Sequence, residues 1–356
     1  MLKGLALTPP VVGRISIGKV VEKNGKRLPE KDDEFTLTSQ VQSRGAWVLH
    51  PMDETLRQAA SAAGTTTGSG TGSAKLRSIP VKLLFDDPDL NLRVGYTLFD
   101  RQTGRPLCVG NGQTCKRVGA GAMEGGVGLG GRAEASTLPC DGPDFCAYAQ
   151  GQCKAFGRLN VRVGDEDELG TFVFRTTGFN SIRTLATRQR YLHAVSGGLL
   201  SNLPLELRLR GKSTTMSHRA PIYYVDLTLR SGITLAEAML QARSERQART
   251  ESGWDQAALD QAARDGFACG VFEESEEDGV AVLEEFYPDD TVEDAPSDPV
   301  ETDVPSIPAP SQRRGLRHKL AQRAAGLGAG LGSGLDQGTV AHRGFPPPQP
   351  MFPPME

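Results

Sequence analysis

Apolar and polar residues alternate with a period of two in several short stretches before Arg230, the pattern of strands with one buried face. Leu203 to Arg210 (LPLELRLR) is the clearest case, with Leu205, Leu207 and Leu209 on one side and Glu206, Arg208 and Arg210 on the other. Ile222 to Arg230 repeats it, which predicts two neighbouring antiparallel strands with one wet face. Strands are also predicted at Val11 to Val21, where Gly13 and Gly18 mark a bend, at Glu34 to Thr38, at Ser78 to Phe85 and at Leu92 to Phe99. The run Asp86-Asp87-Pro88-Asp89 has strong turn chemistry, and Pro88 splits the acids that a cation site would need together. Leu159 to Val163 and Gly170 to Arg175 read as a hairpin.

Helical spacing is confined to a few places. A short piece is predicted at Leu56 to Ala63. After Asn180, Ile182, Leu185, Gln189, Leu192 and Val195 share one face of a helix stopped by Gly197-Gly198, and its start offers an anion site. Thr234 to Gln247 carries a capping box in Thr234 and Glu237, with Leu235, Ala238, Met239 and Ala242 as the buried stripe. Trp254 to Phe267 makes an alanine-rich second helix, and the two are expected to pack as a pair on the sheet, with an arm for a partner as the alternative.

Composition adds domain limits. The predicted core is residues 1–272, interrupted by a glycine-threonine insert at 64–73 that cannot pack. The segment 273–356 reads as a disordered tail, acidic, then basic at Arg313 to Ala325, then rich in glycine and proline. Between Glu273 and Ser311 stand fourteen acidic residues and no Lys or Arg, so the modest net charge of −3 hides a strongly basic remainder. That remainder suits a polyanion, while the acidic tract competes with it or meets a basic partner. No apolar run approaches the ~20 residues of a membrane span and no signal-peptide pattern opens the chain, so a cytoplasmic location without membrane contact is expected.

Five of the six cysteines fall between residues 108 and 153. In a reducing compartment such a thiolate-rich cluster is expected to hold one structural zinc rather than disulfides, with buried free thiols or a redox pair as the alternative. Cys115, Cys140, Cys146 and Cys153 are the preferred ligands, with Cys108 the competitor for the first position. The glycines at Gly126, Gly128 and Gly131 satisfy G-x-G-x-x-G, but no strand feeds them and no helix leaves them, so the match is accidental. Gly211-Lys212-Ser213 likewise lacks the earlier glycine of a phosphate loop. Candidate partner or nucleic-acid contacts are Lys116, Arg117, Lys154 and Arg158 around the cysteines, and Arg183 and Arg190 on the helix that follows.

No H-E-x-x-H, G-x-S-x-G or paired acid and histidine motif is present, and the five histidines are scattered. His50 or His218 is available as a substitute metal ligand. A catalytic zinc needs an open position and a general base, and neither is legible here.

Taken in order, GRISIG (Gly13 to Gly18), IPVKLLFDDPDLNLRVGYTLFD (Ile79 to Asp100), GRPLCVGNG (Gly104 to Gly112), the later cysteines, GRLNVRV, GTFVFRTTGFNSI and LPLELRLR…YYVDLTLRSG form a pattern of blocks. This pattern resembles the recombination directionality factor-like proteins, first known from an actinophage with a large serine integrase. Related chromosomal copies carry the label "hydrolase or metal-binding protein". The resemblance covers about Gly13 to Gln241 and leaves out the glycine-rich inserts and the acidic and proline-rich tail. It implies a non-enzymatic protein that contacts a serine integrase on DNA and turns it from integration towards excision. The alternatives are a DNA-binding replication or maintenance protein and, behind it, a metal-dependent hydrolase. The expected fold is α+β, a mainly antiparallel sheet with a zinc-knuckle insertion, a few packed helices and the tail.

Overall fold

The computed structural model describes residues 10–23, 26–43, 46–62, 75–118, 135–165, 169–213, 221–269 and 279–287. The chain divides into two compact units, Met1–Ala295 and Pro296–Glu356, and the second lies outside the described residues. So do the glycine-threonine insert at 64–73 and the stretch that holds Gly126, Gly128 and Gly131.

The first unit is α+β, as the alternation predicts. Its strands are β1 (Val11–Lys23), β2 (Lys26–Ser43), β3 (Ala46–Leu49), β4 (Ser78–Lys82), β5 (Leu92–Phe99), β6 (Pro106–Gly110), β7 (Thr114–Val118), β8 (Ala135–Pro139), β9 (Lys154–Val163), β10 (Thr171–Thr176), β11 (Leu205–Ser213) and β12 (Pro221–Leu229). The main path runs β3-β2-β1-β10-β9-β5-β6-β7-β8. Only the pairing of β1 with β10 is parallel among those described.

Strand β9 is the hub. It pairs with β10 along one edge, as the predicted hairpin requires, with Val161 opposite Phe172. Its other edge serves β5 at its start and β4 at its end, where Val81 faces Val163. From β4 a branch leads to β11 and β12. The main core gathers Ile15, Phe35, Leu159 and Phe174 from the long path with Ile79, Leu205, Leu207 and Leu227 from the branch. On β4 burial alternates, with Ile79 and Val81 turned into this core, whereas β10 is buried on both sides.

The polar side of β11 is not uniformly wet. Glu206 is buried and accepts hydrogen bonds from Arg208 Nε, the Ser231 amide and the hydroxyls of Ser231 and Thr228. A carboxylate alternating outward thus becomes an internal tie, because the turn after β12 folds back over it.

The helices are α1 (Pro51–Ala62), α2 (Pro88–Asn91), α3 (Phe179–Ser196), α4 (Leu235–Glu251), α5 (Gln256–Cys269) and α6 (Gly279–Phe286). The acidic turn before β5 is α2, capped by Asp87 with Pro88 in its first turn. Helix α3 inserts Ile182, Leu185, Gln189 and Leu192 and ends at Gly197 with φ 67°, the left-handed geometry that favours glycine. Helix α4 has the expected capping box, Thr234 accepting from the Glu237 amide and Glu237 accepting from the Thr234 amide. Its stripe is narrower than predicted: Ala238 and Ala242 are buried, whereas Leu235 is exposed.

Two expectations need correction. The first placed everything after residue 272 in the tail, yet α6 is folded, with Val282 and Phe286 fully buried against Phe99 and Phe156. Its apolar residues are few, but they complete an aromatic cluster that the sheet alone would leave open. The second is the knuckle insertion. Among the described residues the cysteine region is no separate module: β6, β7 and β8 continue the sheet as an antiparallel meander from β5.

Candidate functional site

Sheet register places the candidate residues on two opposite faces. Leu98 stands opposite Cys108, Cys108 opposite Arg117, and Gly110 opposite Cys115, so these share one face of the β5-β6-β7 meander. Their neighbours in sequence point the other way. Lys154 faces Thr97, Thr97 faces Val109 and Val109 faces Lys116, a row on the second face.

The cysteine face is shaped by local turns. Asn111 Oδ1 accepts from the amides of Gln113 and Thr114, both at 2.8 Å, tightening the β6-β7 hairpin. The Cys140 amide then donates to Gln113 O at 2.9 Å, which folds the chain leaving β8 back over the hairpin. A Cβ on Gly110 would lie 2.8 Å from Cys140 Sγ and 2.8 Å from Cys115 Cβ, so the absent side chain is what lets Cys140 approach. Cys146 and Cys153 come from the turns that follow and pack with Cys108, Cys115, Cys140, Leu98 and Ala149.

All five cysteines are free thiols. Burial pushes the Cys153 thiol up to about 12, reinforced by Cys108, Cys146, Cys140 and Cys115. Burial also raises Cys108, to about 11, with Cys115 adding and a hydrogen bond from Arg117 opposing. The thiols therefore crowd one another, yet among the described residues no set of three or more His, Cys, Asp or Glu forms a ligating group. His50 does not join them: its ring lies edge-on to Phe172, and its Nδ1 accepts from the Met52 amide. His218 lies outside the described residues.

The second face carries a groove of about 700 Å³ between α3 and strands β5, β6 and β9. Arg93, Arg158 and Arg190 line it together with Gln189, Phe99 and Phe156. Arg158 stands directly between Arg93 on β5 and Arg175 on β10, three guanidinium side chains in one row across adjacent strands. Arg93 also lies over the Phe267 ring, its guanidinium 3.6 Å from the ring centroid. Gln189 is fully buried, and neither atom of its amide has a hydrogen-bond partner.

The six candidate contact residues separate accordingly. Lys116, Lys154 and Arg158 share the groove face, and Arg190 reaches it from α3. Arg117 belongs to the cysteine face, its guanidinium 4.0 Å from the Tyr148 ring centroid. Arg183 lies exposed on α3. Lys154 is also occupied within the chain, donating to Phe286 O at 3.1 Å. Sequence reading assigned Gln189 to the core and did not single out Arg93. The cross-strand row that unites Arg93 with Arg158 appears only once register is known.

The described residues form an α+β fold, a large mixed and mostly antiparallel sheet, with a groove lined by Arg93, Arg158 and Arg190 on one face. The chain belongs to the Gp3-like family, recombination directionality factor-like, which it matches over residues 12–230. That family implies an interaction with recombination machinery of phages and mobile elements. No curated protein and no solved structure matches the chain. Among the described residues no helix is long and apolar enough to cross a membrane.

Proposed function

We propose that this protein binds a serine integrase of a phage or mobile element and turns it towards excision, acting by contact in the cytoplasm. Family membership supports the recombination role. The observation that carries the contact is the shared face of Lys116, Lys154, Arg158 and Arg93, to which α3 adds Arg190. The test is excision between hybrid attachment sites by a large serine integrase, with and without the protein. Stimulated excision and inhibited integration are expected. A protein that binds duplex DNA alone with a steep salt dependence, and leaves the integrase unaffected, would instead support the DNA-binding reading.

The proposal includes one structural zinc on the opposite face, held by Cys115, Cys140, Cys146 and Cys153 with Cys108 as the competing ligand. An all-sulfur donor set suits zinc, which takes such ligands as thiolates and so would displace the protons that burial holds on Cys153 and on the competing Cys108. Bound there, the ion would tie the β6-β7 hairpin to the loop that returns to β9. Metal analysis of purified protein tests it: near-stoichiometric zinc that is lost in Cys146→Ser and Cys153→Ser is expected, and metal-free wild-type protein of equal stability overturns it.

A further inference from the structure

We infer that the outer side of the β11-β12 pair, with the flank of α3 beside it, seats the phosphate backbone of duplex DNA. This contact goes beyond the integrase reading and does not require it. Leu205, Leu207, Val225 and Leu227 turn into the core, and register puts Arg208, Arg210 and Lys212 of β11 on the other side with Asp226, Tyr224 and Ile222 of β12. Helix α3 is tied to the same strands. Ser181 Oγ accepts from the Val225 amide, Asn180 Oδ1 accepts from Lys212 Nζ at 2.7 Å, and Arg188 reaches Asp226.

Four cations thus share this surface, Arg188, Arg208, Arg210 and Lys212, with two acids, Glu206 and Asp226. Pairing within the chain leaves a surplus. Arg208 is matched by Glu206 and Ser231. Asp226 is shared: its Oδ1 accepts from Arg188 Nε at 3.0 Å and its Oδ2 from Arg210 Nε at 3.2 Å, one negative charge for two positive ones. Among the described residues Lys212 bonds only the neutral Asn180 amide, and its ammonium lies 5.9 Å from the Tyr224 ring centroid. Asp226 is 3% exposed and Glu206 6%, whereas the side chains of Arg188 and Arg210 are 49% and 42% exposed. The field presented to solvent is therefore positive.

Asp226 also positions what it pairs. A buried carboxylate that holds two guanidinium groups by Nε keeps them side by side, and among the described residues the terminal nitrogens of both remain for a ligand. Such a pair fits the two non-bridging oxygens of a phosphodiester, which guanidinium groups bind through charge-assisted hydrogen bonds. Contacts of this kind place a protein on DNA without reading its sequence. Base stacking does not suit this stretch of sheet: β11 has no aromatic residue, and Tyr223 and Tyr224 of β12 are half-buried.

The test follows the anisotropy of a fluorescein-labelled duplex with the full-length protein across a salt series. Binding at about 50 mM salt is expected, equal for a scrambled duplex, with log affinity falling linearly against log salt. Arg188→Gln, Arg210→Gln and Lys212→Gln should each weaken it about fivefold and reduce the slope by about one. Each arginine variant leaves Asp226 one cationic partner, and Lys212→Gln leaves that carboxylate untouched, so its melting temperature should stay at wild type and separate lost contact from lost fold. Arg264→Gln, at an exposed cation of α5, should leave the slope unchanged. No duplex binding at about 50 mM salt, equal slopes in all four variants, or preference for polyglutamate over the duplex overturns the proposal. Excision by a large serine integrase, measured in the same variants, keeps the two readings apart: stimulation that survives without any duplex binding sinks this surface and spares the integrase contact.

Discussion

Lys154 donates its ammonium to the main-chain carbonyl of Phe286 at 3.1 Å, joining the first residue of β9 to the last residue of α6. Tyr287 adds a hydrogen bond to Phe99 O at 3.0 Å, and the Phe286 ring meets both Phe99 and Phe156 edge-on. Helix α6 thus belongs to the folded unit. Phe286→Ala removes a fully buried ring and is expected to lower stability by about 3 kcal/mol, read as a shift in the urea midpoint. Truncation after residue 287 should leave that midpoint near wild type, and truncation after residue 278 should reproduce the loss.

Asp53, buried at the start of α1, accepts from the Leu37 amide at 2.9 Å and from Arg57 Nε at 2.7 Å. Arg57 in turn reaches Glu34 and Phe35 O, so one helix turn is locked to β2. Asp53→Ala leaves the Leu37 amide without its acceptor and takes one of two carboxylate partners from the half-buried Arg57, which keeps Glu34 and Phe35 O. A loss of about 3 kcal/mol is expected by chemical denaturation, well above that of an exposed ion pair.

Gly110 is predicted to be intolerant of the smallest side chain. Alanine there would press on Cys115, on Cys140 Sγ and on Thr114 O. About 1 to 3 kcal/mol of destabilisation is expected. Zinc content measured on the same sample should fall if the ion is held by these sulfurs, since Cys140 is the residue displaced.

Asp165 accepts from both terminal nitrogens of Arg230 at 2.8 Å, and this hydrogen bonding holds its carboxyl below the usual value of 3.8. A depressed folded-state pKa contributes stability that is present above 3.8 and is lost as pH falls through the lower folded value. Asp165→Asn should therefore lower the melting temperature at neutral pH, with the difference from wild type vanishing in acid below 3.8. The side chain is more than half exposed, so the effect should be under about 1 kcal/mol.

Much of the scaffold was legible because strand alternation and capping are local. Leu205, Leu207 and Leu227 are buried where the period-two pattern puts them, and Thr234 with Glu237 forms the predicted box. Leu235, Glu206 and α6 departed from their pattern for one reason. Each depends on what packs opposite, and neither hydrophobic period nor charge count contains that information. The candidate site shows the same division: the cysteines and the basic residues near them could be named, but not assigned to faces.

By itself, the sequence determined a β-rich α+β chain, the positions of its main helices and strands, the cysteine cluster and the family resemblance. These follow from backbone geometry and side-chain periodicity within short windows. Only the tertiary structure decided that β9 joins two branches of sheet, that Cys108 and Cys115 lie on the side opposite Lys116 and Lys154, and that Arg93, Arg158 and Arg175 form one row. Register fixes such relationships, because a slip of one residue would send every side chain of a strand to the other face.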